Sequence, residues 1–343
     1  MKEIGSEYWQ IDGKEENNNL EFLNIGKDYK LLMSGSTAFD YVLSDFDDED
    51  KIVYMPNYCC ESMINPFLEK GYKIEYYNVD ITNNKYDINV NEKCSVFYAM
   101  TYFGYDCSNM DEYIEIFKKR DVIVIEDITH RLFNKKNHCD KSDYLIASLR
   151  KWFPIYTGGV AINMNGFFKN DTSNYVIDDD LIRIKKEAML LKKRYIYDEI
   201  DKKNKFLDLF AKANEMIENY KNKLMDEESI DIIKSIDIEN MIDKRIRNAI
   251  VIENKLADYG IKLIYKLSEG DCPLFVPIVL NNRDVVRSLL IKNSIYCPIH
   301  WPNINSFDNS IYDLELSLIC DQRYDEKDII EYINKFLAIV EGD

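Results

Sequence analysis

Through the first half of the chain, short continuous apolar runs alternate with segments in which apolar residues recur every three or four positions. Ile52–Met55, Val96–Met100, Val122–Ile125 and Tyr144–Ala147 carry no polar alternate. A strand covered on both faces reads this way, whereas a strand with one wet face alternates. Between these runs, Phe39, Val42, Leu43 and Phe46 fall at i, i+3, i+4 and i+7, as do Met110, Tyr113, Ile114 and Phe117. That is the spacing of one face of an α-helix. Strands alternating with helices predict an α/β fold with right-handed crossovers and a mainly parallel sheet.

Gly158-Gly159 introduces Val160–Met164, which reads as a further strand. From Asp178 to about Met225 the chain has no Gly or Pro and is rich in Lys, Glu, Leu and Tyr, which predicts long linking helices. Beyond Ser229 the pattern predicts a smaller α+β unit. Its helices are expected at Met241–Leu256, Asp284–Lys292 and Asp328–Leu337, and its strands near Ile261–Tyr265 and Leu274–Leu280. The expected division is a large domain over 1–177, linking helices over 178–228 and a small C-terminal domain over 229–343. A chain of 343 residues suits roughly two domains of about 150 residues.

Composition narrows the partners. With 46% hydrophobic and 31% charged residues, the chain can bury a sizeable core. A formal net charge of −17 argues against nucleic acid or an anionic membrane as partner. An anionic substrate would therefore need local positive groups, and Lys192, Lys193 and Arg194 are candidates. Met1–Glu7 holds no apolar stretch of the kind that opens a secretory signal, and nothing approaches about 18 consecutive apolar residues. Eight cysteines form no CxxC pair, so reduced thiols and a cytoplasmic location are expected. His130, His138 and Cys139 match no common zinc spacing, and no metal is expected.

The chemistry concentrates in two segments. Ile125-Glu126-Asp127-Ile128-Thr129-His130 ends an expected buried strand, and Ser148-Leu149-Arg150-Lys151-Trp152-Phe153-Pro154 follows shortly after. A lysine among apolar neighbours is desolvated, which makes its neutral amine available. In an open α/β sheet, ligands lie at the carboxyl ends of strands, where Asp127 is expected. Ser34-Gly35-Ser36-Thr37-Ala38 precedes the first helix, whose free N–H groups and dipole suit a phosphate. Each feature also has a plainer reading. The serines and threonine suit an N-cap, Asp127 an ion pair, His130 a structural role and Lys151 a snorkelling side chain. Taken together they meet the needs of pyridoxal 5'-phosphate: a lysine amine, a partner for a cationic ring nitrogen and a phosphate anchor.

On these residues the chain resembles the DegT/DnrJ/EryC1/StrS family of fold-type I, pyridoxal phosphate-dependent aminotransferases. Further segments carry the likeness: Gly5-Ser6-Glu7-Tyr8-Trp9, Met55-Pro56-Asn57-Tyr58-Cys59-Cys60, Tyr102-Phe103-Gly104 and Tyr296-Cys297-Pro298-Ile299-His300-Trp301. The resemblance implies a sheet of the seven-stranded type between helices and a homodimer with sites between subunits. It implies that Lys151 carries the cofactor, Asp127 pairs with the pyridine nitrogen and His130 lies by the ring hydroxyl. Ser36, Thr37 and Ser148 would hold the phosphate. Relatives commonly stack a Trp, Phe or His on the ring; here Tyr58 and Cys60 are nearest, and the aromatic Tyr58 is preferred. Relatives also commonly place two more residues between serine and lysine, and a histidine where Thr101 stands.

By this resemblance His300 and Trp301 face the substrate. Arg323 either holds a donor carboxylate or forms an ion pair within the small domain. The implied activity moves an amino group, expected from glutamate, to a keto group on a small molecule, with a nucleotide-linked keto-sugar as expected acceptor. The alternatives are an enzyme using the same cofactor on a non-sugar keto acid or amino acid, and a non-catalytic binding protein on the same scaffold.

Overall fold

The four continuous apolar runs become four adjacent strands in the middle of one sheet. A computed structural model describes residues 3–9, 20–106, 109–197, 202–303, 307 and 311–342; Met1, Lys2 and Cys107 lie outside them. In chain order the strands are β1 (Ile4–Gly5), β2 (Asp28–Leu32), β3 (Ile52–Pro56), β4 (Lys73–Asp80), β5 (Lys85–Asp87), β6 (Val96–Met100), β7 (Ile123–Asp127), β8 (Tyr144–Ala147), β9 (Gly159–Asn163), β10 (Val276–Val279), β11 (Ile295–Tyr296) and β12 (Glu315–Leu318). The helices are α1 (Gly35–Leu43), α2 (Glu61–Glu69), α3 (Met110–Lys118), α4 (Asp179–Ile196), α5 (Lys203–Ile217), α6 (Glu227–Lys234), α7 (Ile238–Ala257), α8 (Arg283–Lys292), α9 (Ile311–Leu314) and α10 (Glu326–Gly342).

The main sheet runs β2-β9-β8-β7-β6-β3-β4-β5. Strands β8, β7, β6, β3 and β4 are parallel, and β9 pairs antiparallel with both β8 and β2. The expected mainly parallel α/β sheet is present, with eight strands rather than seven. The extra strand is the short β5, which folds back antiparallel on β4. Strand β8 explains its own sequence. Tyr144 and Ile146 pack into the cluster that contains Phe39 and Val42 of α1, while Leu145 and Ala147 pack into one that contains Ile233 of α6 and Met241 of α7. Both faces are dry, so no polar alternate survives.

Strand β7 runs two residues past its apolar run because Glu126 and Asp127 still pair with Ala99 and Met100 of β6. Residues 261–265, expected as a strand, form none; a single bridge joins Leu263 to Ile278. Phe46 lies beyond the end of α1 but still packs on Tyr144, with ring centroids 5.6 Å apart.

The C-terminal region packs α7, α8 and α10 around the antiparallel pair β10–β12. The N-terminal arm joins it: β1 lies parallel to β11, and the Gly5 N–H donates to the Tyr324 hydroxyl at 2.8 Å. Buried Glu3 pairs with Lys192 at 3.1 Å and with Lys203 at 3.2 Å.

Two glycines set how the site is assembled. Gly104 has φ +86°, and a Cβ on it would overlap the Cys272 carbonyl. Gly159 opens β9 directly beneath the start of α1, where a Cβ would overlap the Ser34 carbonyl and the Gly35 nitrogen. Backbone cannot step aside as a side-chain tip can, so overpacking should cost toward the upper end of the usual range. Gly159→Ala is expected to lose about 3 kcal/mol of stability, read as a fall in the urea midpoint. Gly166→Ala, where the added carbon meets nothing within 4 Å, should unfold like the parent. Equal midpoints for the two variants would contradict the close approach at Gly159.

Candidate active site

The carboxyl ends of β3, β6, β7 and β8 deliver four loops to one edge of the sheet, and each loop brings chemistry. Alternation along β7 separates its two acids. Glu126 turns to the far side, where it accepts from the Cys139 N–H at 2.9 Å and the Ser142 hydroxyl at 2.7 Å and lies 3.5 Å from Arg131. Burial raises its pKa. Asp127 turns to the near side. One carboxylate oxygen accepts from the Tyr98 hydroxyl and the other from the Thr129 N–H, each at 2.8 Å.

Thr129 ties this loop to the next. Its hydroxyl accepts from the Ser148 N–H at 3.0 Å, and its carbonyl accepts from the Trp152 indole at 2.7 Å. The chain then makes a single helical turn, Leu149–Lys151. Trp152 and Phe153, both fully buried, enter the core beneath it and hold the lysine at the rim.

Lys151 Nζ lies 3.2 Å from His130 Nε2 and 5.8 Å from the centre of the Trp301 ring. The other ring nitrogen of His130, Nδ1, accepts the Phe103 N–H at 3.1 Å. A neutral imidazole has one N–H, and with Nδ1 accepting it must sit on Nε2. That proton points at the lysine nitrogen, which therefore meets it as a lone pair. Burial agrees: it lowers the pKa of Lys151, against the opposing pull of Cys60 and Asp127. His130 is held well below an ordinary histidine by burial, by Lys151 and by His300.

Two cavities meet at this lysine. The smaller, about 220 Å³, is lined by Gly35, Ser36, Cys60, Asp127, Ser148 and Trp301 among others. The larger, about 440 Å³, is lined by Tyr8, Arg245, Arg287, His300, Asp321 and Arg323 among others. Arg150 and Lys151 line both. Ser36, Asp127, Ser148, Lys151 and Trp301 are thus gathered around the smaller cavity, with His130 bonded to the lysine. His300 faces the larger one.

Two expectations need correction, and Arg323 takes one of its two expected roles. Thr37 does not reach the cavity. Its hydroxyl donates to the Tyr220 carbonyl at 2.9 Å, and its N–H caps α1 on the Ser34 hydroxyl at 3.2 Å. Tyr58 is fully buried, donates to the His300 carbonyl and packs against Tyr102, Trp301 and Tyr312. Cys60 lines the cavity from that loop, and the aromatic residues lining it are Phe39, Tyr98 and Trp301, the last stacked on His130 at 5.7 Å. Arg323 reaches the larger cavity but is committed: two of its nitrogens hold Asp321 at 2.9 and 2.7 Å. Breaking a buried pair costs roughly 3–5 kcal/mol, more than one new carboxylate contact returns. It is the ion pair rather than the donor clamp.

Of the basic candidates in α4, Lys192 is buried on Glu3, and neither Lys193 nor Arg194 lines either cavity. The positive groups at the larger cavity are Arg150, Arg245, Arg287 and Arg323. Sequence spacing gave no signal for Arg287, which lies on α8 far along the chain. For Arg150 the signal was its place beside the lysine.

The seven described cysteines are all free. His138 sits 3.4 Å from Asp140, and among the described residues no cluster of three or more metal-ligating side chains forms. No helix among them is long and apolar enough to cross a membrane.

No family model matches the chain, and no curated protein matches it in sequence. Solved structures do. PseC of Helicobacter pylori, an aminotransferase involved in pseudoaminic acid biosynthesis, shares 14% identity over 100% of both chains with a TM-score of 0.68. A DegT DnrJ EryC1 StrS aminotransferase of Brucella abortus shares 15% over 94% of this chain and 87% of its own, at 0.62. DesI, determined in the presence of its TDP-sugar product, shares 12% over 94% and 84%, at 0.65. At such identities the likeness establishes a common fold, running the length of the chain.

The lowered pKa of Lys151 has a direct consequence. An ordinary lysine titrates near about 10.4, and one with a lowered pKa keeps its free amine to lower pH. In the chain without added ligands, reductive methylation of Lys151, followed by peptide mass spectrometry, should have a pH midpoint below that of the surface lysines. A midpoint equal to theirs would contradict the desolvated setting.

Proposed function

We propose that the chain is a pyridoxal 5'-phosphate-dependent aminotransferase that moves an amino group, from glutamate as donor, to a keto-sugar, with a nucleotide-linked sugar as the acceptor. The observation that carries this reading is the small cavity lined by Lys151, Asp127 and the start of α1, which shares Lys151 and Arg150 with a larger one.

The residues present fit the cofactor. The first-turn N–H groups of Gly35 and Ser36 have no acceptor among the described residues, and the Ser36 and Ser148 side chains line the same end. A Cβ on Gly35 would press on Ser148 at 3.2 Å, so the helix start and the β8 loop nearly touch. Together they suit a phosphate. Asp127 suits a protonated ring nitrogen, because Tyr98 and Thr129 hold its carboxylate in place. Bound there, the cofactor supplies an electron sink for the pair left when a proton leaves the substrate carbon.

The protein supplies the rest. Lys151 provides the amine for covalent attachment and afterwards a base beside the substrate carbon. In the chain without cofactor His130 donates to that amine and so keeps it oriented. Trp301 supplies an apolar wall to the cavity. Arg287 fits a role in recognising an anion. Its Nε donates to the Cys297 carbonyl at 3.2 Å, and its outer nitrogens have no protein partner among the described residues. A diphosphate or carboxylate entering the larger cavity would meet it there. The same reading expects a homodimer in the cytoplasm.

Four measurements test this reading. The protein with cofactor should show a visible absorbance band that glutamate alone bleaches, and borohydride should fix the cofactor to Lys151. Attachment to another lysine, or turnover in Lys151→Ala, would remove the central assignment. Asp127→Asn should fold but lose at least about a hundredfold in rate, since a neutral amide does not hold the ring charge. Arg287→Gln should raise the acceptor KM by about tenfold or more, in line with about 1.5–3 kcal/mol for a hydrogen bond to a charged group. Finally, only a nucleotide-linked keto-sugar should restore the band after glutamate. Rapid restoration by simple keto acids, with every sugar failing, would move the protein to amino-acid metabolism.

A further inference from the structure

The larger cavity is faced by a second histidine whose hydrogen-bonding sense is set from behind by two buried residues. Glu315 and Ser317 stand two apart on β12, so they share one face of the strand. Both are fully buried. His300 reaches them from the segment after β11. Its backbone N–H donates to one Glu315 oxygen at 2.6 Å, and its Nδ1 lies 2.8 Å from the Ser317 hydroxyl. That hydroxyl also meets the other Glu315 oxygen. The result is one unbroken line: carboxyl, hydroxyl, imidazole. Nε2 is the remaining ring nitrogen, on a ring that lines the cavity.

We propose that Ser317 and Glu315 are positioning residues which decide, by the presence or absence of one proton on Glu315, whether His300 offers the cavity a lone pair or an N–H. A serine hydroxyl has a single hydrogen to give. When Glu315 is ionised, Ser317 donates to it, Nδ1–H donates to Ser317, and Nε2 is left as an acceptor. When Glu315 carries a proton, it donates to Ser317, Ser317 donates to Nδ1, and the imidazole hydrogen must sit on Nε2. The two arrangements differ by one proton. If that proton enters at Nε2, the Nδ1 hydrogen passes to the hydroxyl and the hydroxyl hydrogen to the carboxylate. The imidazole ends neutral and the carboxyl protonated.

The surroundings suit this exchange. Burial and the nearby Lys151 hold His300 well below an ordinary histidine, so the ring stays neutral while its tautomer changes. Phe103, Phe275 and Trp301 enclose it at 5.0–5.3 Å, and His130 lies 5.7 Å away. Facing Glu315 are Arg283 of α8, Cys297 and Tyr58. Arg283 is engaged with the Glu315 carbonyl at 2.9 Å and with Asp284 at 2.7 Å. Burial outweighs its attraction and pushes the Glu315 pKa up to about 8, so both states fall within reach of ordinary buffers. His130 is held as a donor by Phe103. His300 is thus the histidine of the pair whose sense can reverse.

That a substrate hydroxyl or amine reads this setting rests on the aminotransferase reading; the tautomer itself does not. The test is therefore made without substrate, on the full chain labelled with ¹⁵N-histidine. The chain has three histidines, and His138→Gln simplifies the assignment. Between about pH 6 and pH 10, a span that brackets a carboxyl raised by burial, His300 Nε2 should pass from a protonated to an unprotonated shift with no imidazolium stage. In Glu315→Leu, Ser317 is free to donate to Nδ1 at every pH, and Nε2 should stay protonated throughout. Ser317→Ala breaks the line, and the pH response should vanish there too, which covers the case that Glu315→Leu fails to fold. A His300 tautomer that ignores pH in the parent, or that responds identically in the variants, would overturn the proposal.

Discussion

At the centre of the molecule, the Phe103 N–H donates to Nδ1 of His130, and Nε2 of the same ring faces the Lys151 amine at 3.2 Å. A backbone N–H is a donor that cannot become an acceptor, so it decides where the imidazole hydrogen sits and, through it, which form of the lysine is welcome. The setting of Phe103 depends in turn on the left-handed pair Phe103-Gly104 and on the Leu274 N–H, which donates to the Phe103 carbonyl at 2.8 Å. The state of a lysine on the β8 loop thus depends on a contact between the β6 loop and the segment leading into β10.

Charge is distributed against the chain's average. A molecule with a net charge of −17 lines its larger cavity with four arginines. Two of these are spent on structure. Arg323 holds Asp321 and lies over the rings of Tyr8 and Trp9 at 4.4 and 5.0 Å; Arg245 donates to the Pro273 and Leu274 carbonyls and lies 4.5 Å from the Trp152 ring. A buried guanidinium without partners would cost several kcal/mol, so these pairs hold the arm and the small region together rather than wait for a ligand. What remains for an anion is Arg287, with Arg150 at the junction of the two cavities.

The two histidines by the lysine illustrate how the same side chain is set to opposite uses. A main-chain donor behind His130 leaves it with one sense toward the cavity. A hydroxyl and a carboxyl behind His300 leave it with two. Trp301, the next residue, stacks on His130 and lines the smaller cavity, so one dipeptide from the C-terminal region contributes to both spaces.

The pattern of residues determined the central strands, the helices with clear periodicity and the short-range chemistry. Val96–Met100 and Tyr144–Ala147 appear with the bounds read from the sequence, because a strand dry on both faces leaves an unmistakable run. Strands β2 and β5 at the edges of the sheet, and β4 beside β5, mix polar and apolar residues and were missed. That Asp127, Ser148 and Lys151 gather at one cavity was legible because each sits at or a few residues from a strand end, where the fold class dictates that ligands lie. The places of Thr37 and Tyr58 were not, since their roles are decided by partners 183 and 242 residues away along the chain; Arg323, whose partner Asp321 stands two residues away, was legible as one of two readings. Glu315 and Ser317 lie in a stretch where no element was expected, and Arg287 lies in a segment expected only as a helix. Local propensity and periodicity act over a few residues and survive in the sequence. The partner of a hydrogen bond across the core is chosen by packing, and only the tertiary structure decides it.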